Sequence, residues 1–98
     1  MPRTVMPETP TTVSITVADP SHLCRVQTTT RGFCRSLGLD ESSVYEAVIA
    51  VTELAHRLFI ERSRRGSVDL SAVPLAGRLG LEVRVDDAVV GLFPSMDE

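Results

Sequence analysis

The 98-residue sequence has no lysine and no tryptophan, and only 4% of its residues are aromatic. All ten basic residues are therefore arginine, and thirteen acidic residues outnumber them to give a formal net charge of −3. A nucleic-acid-binding domain is expected to be basic because it must neutralise phosphates, so we expect no nucleic-acid partner. The shortage of aromatic side chains means that the core must consist mainly of valine, leucine, isoleucine and alanine.

Long apolar runs and paired cysteine motifs are also missing. No run approaches the about 18 apolar residues of a membrane-spanning helix, and nothing resembles a signal peptide, so we expect a cytoplasmic protein with no membrane partner. Cys24 and Cys34 lie in one predicted helix, which separates them by ~15 Å, too far for a disulfide. We expect both to be buried thiols, and we expect no metal site because Cys-x-x-Cys spacing is absent and only two histidines occur.

The N-terminal part of the sequence predicts an arm, a strand and a helix. Residues 1–12 contain three prolines without periodicity and are typical of a loose arm, whereas residues 13–17 alternate apolar and polar side chains as a half-buried strand does. Asp19 can act as an N-cap and Pro20 suits the first helical position, so a helix is predicted to begin there. Gly38 ends this helix, because glycine readily adopts the left-handed conformation found after a helix.

A second, longer helix is predicted from Asp40, its N-cap, to about Ser63. Ile49, Ala50 and Leu54 widen its apolar stripe, which indicates burial on more than one side. The stripe itself consists of Val44, Val48, Val51, Ala55 and Leu58.

Two alternating segments follow, at residues 67–73 and 79–86, and a hairpin at residues 74–78 joins them. Residues 88–98 give only weak signals. The order strand, helix, helix, strand, strand predicts an α+β fold, a two-layer sandwich with two helices packed on one face of a small antiparallel sheet.

Two segments resemble the nucleotide-binding motifs of a kinase family: Ala-Val-Ile-Ala-Val-Thr-Glu-Leu-Ala-His-Arg-Leu-Phe at residues 47–59, and Leu-Glu-Val-Arg-Val-Asp-Asp-Ala-Val-Val-Gly-Leu at residues 81–92. With the order of elements, they make the chain similar to the anti-sigma-factor and switch-protein serine kinases of bacteria, which belong to the GHKL ATPases with the Bergerat fold. In that family the second helix carries Ser-Glu-Leu-Ala-x-Asn, whose Glu is a candidate general base and whose Asn coordinates Mg²⁺. The resemblance places Glu53 at the base position and Arg57 at the Asn position.

The second motif of the family, Asp-x-Gly-x-Gly, supplies an Asp that reads adenine and glycines that let the backbone approach the nucleotide. Asp87 and Gly91 match this motif, but Val89 replaces the first glycine. The lid and the Gly-rich phosphate loop of the family have no counterpart in the remaining residues. The resemblance thus implies a degenerate, C-terminally truncated member, with a single domain at residues 13–93 and a tail at 94–98.

These replacements argue against phosphoryl transfer. Mg²⁺ requires oxygen ligands, and the Arg57 side chain has only N–H donors. Val89 fills space that glycine leaves open and disfavours a positive φ. We therefore expect no cofactor; the alternative is ATP binding without Mg²⁺, with the Arg57 guanidinium on a phosphate.

Each retained residue also has a structural explanation. Glu53 and Arg57 lie four residues apart with the acid first, which favours an ion pair along a helix. Asp87 can make turn hydrogen bonds at the end of a strand, and Gly91 can be an ordinary loop glycine. The sequence leaves structural and nucleotide-binding roles open for all four.

The resemblance implies a role in bacterial transcription regulation through protein–protein contacts. We expect a non-catalytic regulatory module whose partner is a sigma factor, an antagonist-type protein or a second copy, as in a dimer, because a sheet without its later strands has an unpaired edge. The alternative is a weak ATP-binding serine/threonine protein kinase with Glu53 as base and Asp87 on adenine. A third possibility is a self-associating subunit with no ligand, in contact through Val89, Val90, Leu92 and Phe93.

Overall fold

Two helices lie between the first and second strands of a four-stranded antiparallel sheet. The computed structural model describes residues 12–75, 78–86 and 88–94. The predicted α+β fold, in the order β-α-α-β-β with both helices on one face of the sheet, is confirmed, and one further strand follows it. The elements in chain order are β1 (Thr12–Val17), α1 (His22–Ser36), α2 (Glu41–Ala55), a π-helical turn that continues α2 (His56–Ile60), β2 (Gly66–Leu75), β3 (Arg78–Val85) and β4 (Ala88–Pro94).

The sheet has the order β1-β2-β3-β4, and each neighbouring pair is antiparallel. The sequence did not predict β4. Its register on β3 pairs Val83 with Gly91, then shifts so that Arg84 pairs with Val89. This bulge leaves Val90 as an extra residue, so the strand shows no regular alternation of apolar and polar positions. Within the described sheet, β1 and β4 are the two edge strands.

The helix α1 begins at His22, later than the N-cap predicted at Asp19. In the structure an Asp19 carboxylate oxygen accepts the backbone N–H of Ser21 at 2.9 Å, and the Asp19 carbonyl accepts the N–H of His22 at 3.0 Å. Pro20 lies within this turn and has no N–H of its own to satisfy. Asp19 therefore caps the turn that leads into the helix rather than the helix itself.

The helix α1 ends just before Gly38, as predicted, and Gly38 adopts a left-handed φ of +82°. The Gly38 N–H donates to the carbonyl of Arg35 at 3.0 Å, and the Leu39 N–H donates to the carbonyl of Cys34 at 3.3 Å. Leu39 folds back into the core with only 5% of its surface exposed. These two hydrogen bonds and the apolar contact form a Schellman motif, which fixes the angle between the helices.

The helix α2 begins where predicted but buries only one side. An Asp40 carboxylate oxygen accepts the backbone N–H of Ser43 at 2.9 Å, as an N-cap does. The expectation of burial on more than one side is wrong, since Ile49 is 50% exposed, Ala50 is exposed and Leu54 is partly exposed. Both helices belong to a single layer, so the far side of α2 faces solvent. The buried positions are Val44, Ala47, Val48, Val51 and Ala55.

The second helical segment ends before the predicted Ser63. Regular α-helix stops at Ala55, the π-helical turn reaches Ile60, and Ser63 adopts a left-handed φ of 51°. The chain thus reverses before Gly66, which begins β2 instead of breaking the helix.

The core between the sheet and the helices is aliphatic, as the composition predicts. Cys34 is buried in it, but Cys24 is exposed, so the expectation of two buried thiols is wrong for Cys24. Cys24 and Cys34 are ten positions apart in α1, which places their side chains roughly 80° apart around the helix axis. The two side chains therefore cannot face the core equally. The buried apolar residues are Ile15, Val17, Val26, Phe33, Cys34, Leu39, Val44, Ala47, Val48, Val51, Ala55, Phe59, Val68, Leu70, Leu81, Val83 and Val85.

Among the described residues, no helix has both the length and the apolar character needed to cross a membrane. Most of the predicted arm, residues 1–11, lies outside the described residues, as do residues 95–98 of the predicted tail.

Candidate functional site

Glu53 and Arg57 form an ion pair on the exposed side of the second helical segment. The Arg57 Nε–H donates to a Glu53 carboxylate oxygen at 2.8 Å, and the two side chains are 67% and 57% exposed, respectively. This is the contact that their four-residue spacing favours. The candidate base and the residue at the Mg²⁺-ligand position are therefore each other's partners.

This pairing involves only one oxygen of Glu53 and one N–H of Arg57. The second Glu53 oxygen can still accept a proton, whereas the guanidinium offers no oxygen to a metal ion. Across the residues that the structure describes, no group of three or more His, Cys, Asp or Glu side chains is arranged to hold a metal.

Gly91 lies in a shallow depression between α2 and the last two strands. The depression has a volume of about 210 Å³. Ala50, Val51 and Leu54 of α2 form one wall, while Val83 of β3 and Val90 with Gly91 of β4 form the other. The structure thus places Gly91 opposite Leu54, the residue after Glu53.

The depression is small, open and apolar. Its volume is below the about 300–1,000 Å³ of typical small-molecule sites, and its lining offers no hydroxyl, amide or charged side chain to orient a polar ligand.

The strand beside the depression is exposed. Val89 and Val90 of β4 are 48% and 43% exposed, and residues 88–94 include no charged residue. β4 is also an edge strand of the described sheet, where backbone groups are open to pairing with another strand. Apolar side chains and an open strand edge therefore occur together at this side of the molecule.

Asp87, the candidate adenine-reading residue, lies outside the described residues. The preceding residue, Asp86, has a left-handed φ of 52°, and its carboxylate pairs with Arg64. The backbone thus turns sharply before β4 begins.

Sequence reasoning missed the cluster that ties the end of the second helical segment to the sheet. The Arg64 guanidinium lies 5.0 Å from the ring centroid of Phe59 and also pairs with Asp86. Gly66 lies so close to Phe59 that an added Cβ would stand 2.3 Å from the ring. No sequence pattern indicates this contact, because the arginines near residue 64 are equally well explained as a charged helix end.

Comparisons with protein-family models, with curated proteins and with solved structures gave no match.

Proposed function

We propose that the chain is a non-catalytic regulatory module, related to the anti-sigma-factor kinases, that acts by binding protein in bacterial transcription regulation. Its place of action in this proposal is the cytoplasm, and its partner is a sigma factor, an antagonist-type protein or a second copy of the chain. The observation that carries the proposal is the apolar depression between α2 and β4, continuous with an exposed edge strand.

The surface at β4 suits a protein partner for two reasons. Val89 and Val90 lose water when another protein covers them, which favours association by roughly 25 cal/mol for each Å² of apolar surface removed from water. An added strand would also satisfy the open backbone groups of β4 through regular hydrogen bonds.

The contacts of the candidate catalytic residues support a non-catalytic role. Glu53 is held by Arg57, and Arg57 cannot replace an oxygen ligand of Mg²⁺. Val89 lies in β4 beside the β-bulge, paired with Arg84, at the position where the related kinases have a glycine near the nucleotide. Transfer of a phosphoryl group usually depends on Mg²⁺ at the phosphates, and Arg57 stands where an oxygen ligand would hold that ion.

Calorimetric titration of ATP and ADP, with and without Mg²⁺, tests whether the chain binds the nucleotide that a kinase needs. We expect no heat of binding at nucleotide concentrations on the order of hundreds of micromolar, which corresponds to a binding free energy weaker than about −5 kcal/mol. Saturable binding that requires Mg²⁺ would contradict the proposal, whereas binding that persists without Mg²⁺ would favour direct contact between Arg57 and a phosphate.

A binding assay with purified sigma factors and antagonist-type proteins tests the partner. Val90→Lys places a charge on the exposed edge and should weaken capture of the true partner by tenfold or more. Thr16→Lys is the matched control, since Thr16 is an exposed residue of β1 at the opposite edge. Equal loss in both variants would show that the partner does not use the surface at β4.

The alternative function is a weak ATP-binding serine/threonine protein kinase. The observation in its favour is that Gly91 lies opposite Leu54, so one residue of each family motif flanks the same depression. The double variant Arg57→Asn, Val89→Gly restores both family residues and should gain ATP affinity if the alternative holds. Unchanged ATP affinity in this double variant would rule out the kinase function.

A further inference from the structure

We propose that the partner at the surface formed by α2 and β4 is a second copy of the chain, docked about a twofold axis with Glu46 of each protomer paired to Arg57 of the other. This inference rests on the proposed protein-binding function and assigns an occupant to the same surface. A twofold interface requires a patch that is complementary to itself. The side of α2 next to β4 has such a pattern.

Glu46, Ala50 and the Glu53–Arg57 pair follow one side of the second helical segment. Glu46 precedes Glu53 by seven residues, nearly two full turns, so both carboxylates lie on the same side. Ala50 lies between them and lines the depression, which shows that this side faces the β4 edge. The small alanine at the centre leaves room for close approach of another chain.

One end of this side carries Glu46, and the other carries Arg57, whose guanidinium contacts Glu53 through Nε alone and has N–H groups left for a second carboxylate. Glu46 is exposed, and its side chain makes no hydrogen bond or ion pair within the described ranges. Arg57 stands eleven residues later, about 16 Å along the axis at 1.5 Å per residue. The midpoint between them falls beside Val51, which lines the depression. When two such sides meet in antiparallel orientation, each Glu46 comes opposite an Arg57.

The same twofold axis suits the strand edge. Two β4 strands related by an axis perpendicular to the sheet are antiparallel, and residues 88–94 contain no charge that would repel its copy. Pairing the strands joins the two sheets and leaves both α2 helices on one face, antiparallel and on either side of the axis. Val90 of each copy then lies between the helices, next to the depression that it lines.

Sedimentation velocity over a concentration series tests the contact. We expect the wild-type chain to dimerise, and we expect Glu46→Arg and Arg57→Glu each to raise the dimer Kd tenfold or more, because each turns two attractive pairs into repulsive ones. The double variant Glu46→Arg, Arg57→Glu restores opposite charges and should recover dimers. The control Arg25→Glu reverses a charge on the exposed part of α1 and should leave the Kd unchanged.

Mixing the two single variants gives the sharpest result. Glu46→Arg carries only positive charge at these positions of the interface, and Arg57→Glu carries only negative charge, so two chains that dimerise poorly alone should form heterodimers together. If a reversed charge unfolds either chain, as circular dichroism would show, Glu46→Gln and Arg57→Gln test the same pairs with a smaller expected rise in Kd.

A wild-type chain that stays monomeric, or single variants that dimerise as well as the wild type, would overturn the twofold contact. ATP titration of the same samples separates this failure from failure of the proposed function. A monomer that binds no nucleotide overturns only the second copy as partner, whereas a dimer that binds ATP in a Mg²⁺-dependent way supports the contact and overturns the non-catalytic role.

Discussion

At the residue scale, Gly66 begins β2 packed closely against the ring of Phe59. A Cβ added at Gly66 would lie 2.3 Å from the Phe59 Cε1 atom and 3.1 Å from an Asp86 carboxylate oxygen. The Phe59 ring cannot move aside easily, because it is fully buried and Arg64 lies over it. The absent side chain at Gly66 thus permits the helix end and the sheet to meet.

Gly66→Ala should destabilise the fold by about 1–3 kcal/mol, the usual effect of overpacking a filled core. Urea denaturation monitored by circular dichroism measures this change. Gly32→Ala is the matched control, since no atom lies within 4 Å of a Cβ at that helical position and alanine should stabilise the helix by about 0.5–1 kcal/mol. A neutral Gly66→Ala would show that Phe59 has space to move.

The two cysteines should differ in reactivity because their surroundings differ. Burial raises the pKa of the Cys34 thiol to about 11, whereas Cys24 is exposed on α1. Only the thiolate reacts with alkylating reagents, so at pH 8 we expect one thiol per folded chain to react rapidly and the second only after unfolding. Mass spectrometry of the alkylated chain should place the early adduct on Cys24. Equal early labelling of both residues would contradict the burial of Cys34.

At the scale of elements, the junction between α1 and α2 depends on Gly38. Its φ of +82° is strained for any residue with a Cβ, and no atom lies within 4 Å of the added position, so conformation alone decides the effect of substitution. Gly38→Ala should lower the free energy of unfolding by about 1 kcal/mol. Gly38→Asn should lower it less, because asparagine tolerates the left-handed region. Thermal denaturation compares the two variants, and a larger loss for asparagine would contradict this explanation.

The elements show why the sequence predicted some features and missed others. Gly38 and Asp40 mark the helix junction through local hydrogen bonds, so their residue types alone were sufficient to place it. The Glu53–Arg57 pair is equally local. The strand β4 was missed because its bulge breaks the alternation and its pairing depends on β3. The depression was missed because only the tertiary fold brings Gly91 and Leu54 to the same cavity.

At the scale of the whole molecule, the two faces of the sheet differ in character. The face away from the helices carries polar cross-strand contacts, such as the hydrogen bond from the Ser14 hydroxyl to Asp69 at 2.6 Å. The helix-facing side of the sheet forms the core. Exposed apolar side chains therefore mark positions that the two layers leave uncovered, and among the described residues the large ones are Tyr45, Ile49, Leu79, Val89 and Val90. Val89 and Val90 are the pair that adjoins an open strand edge.

Charged groups at the helix ends make the stability of the whole molecule depend on pH. The Ser21 hydroxyl and N–H lower the pKa of Asp19, the Ser43 N–H lowers the pKa of Asp40, and the Arg35 guanidinium lowers the pKa of Glu41. The ordinary values are 3.8 for Asp19 and Asp40 and 4.5 for Glu41. Folding therefore favours the ionised form of each group, and this contribution is fully present above the ordinary values.

The contribution is lost as the pH falls through the lowered pKa values of the folded chain, because the protonated carboxyls no longer accept these hydrogen bonds as strongly. We expect the urea midpoint to change little between pH 7 and pH 5 and to fall between pH 5 and pH 3. Asp40→Asn keeps an acceptor at the N-cap but does not titrate, so its midpoint should fall less than that of the wild type over the acid range. Measurement at high dilution keeps subunit association out of the comparison. Parallel curves for the two chains would show that Asp40 does not contribute to the loss of stability in acid.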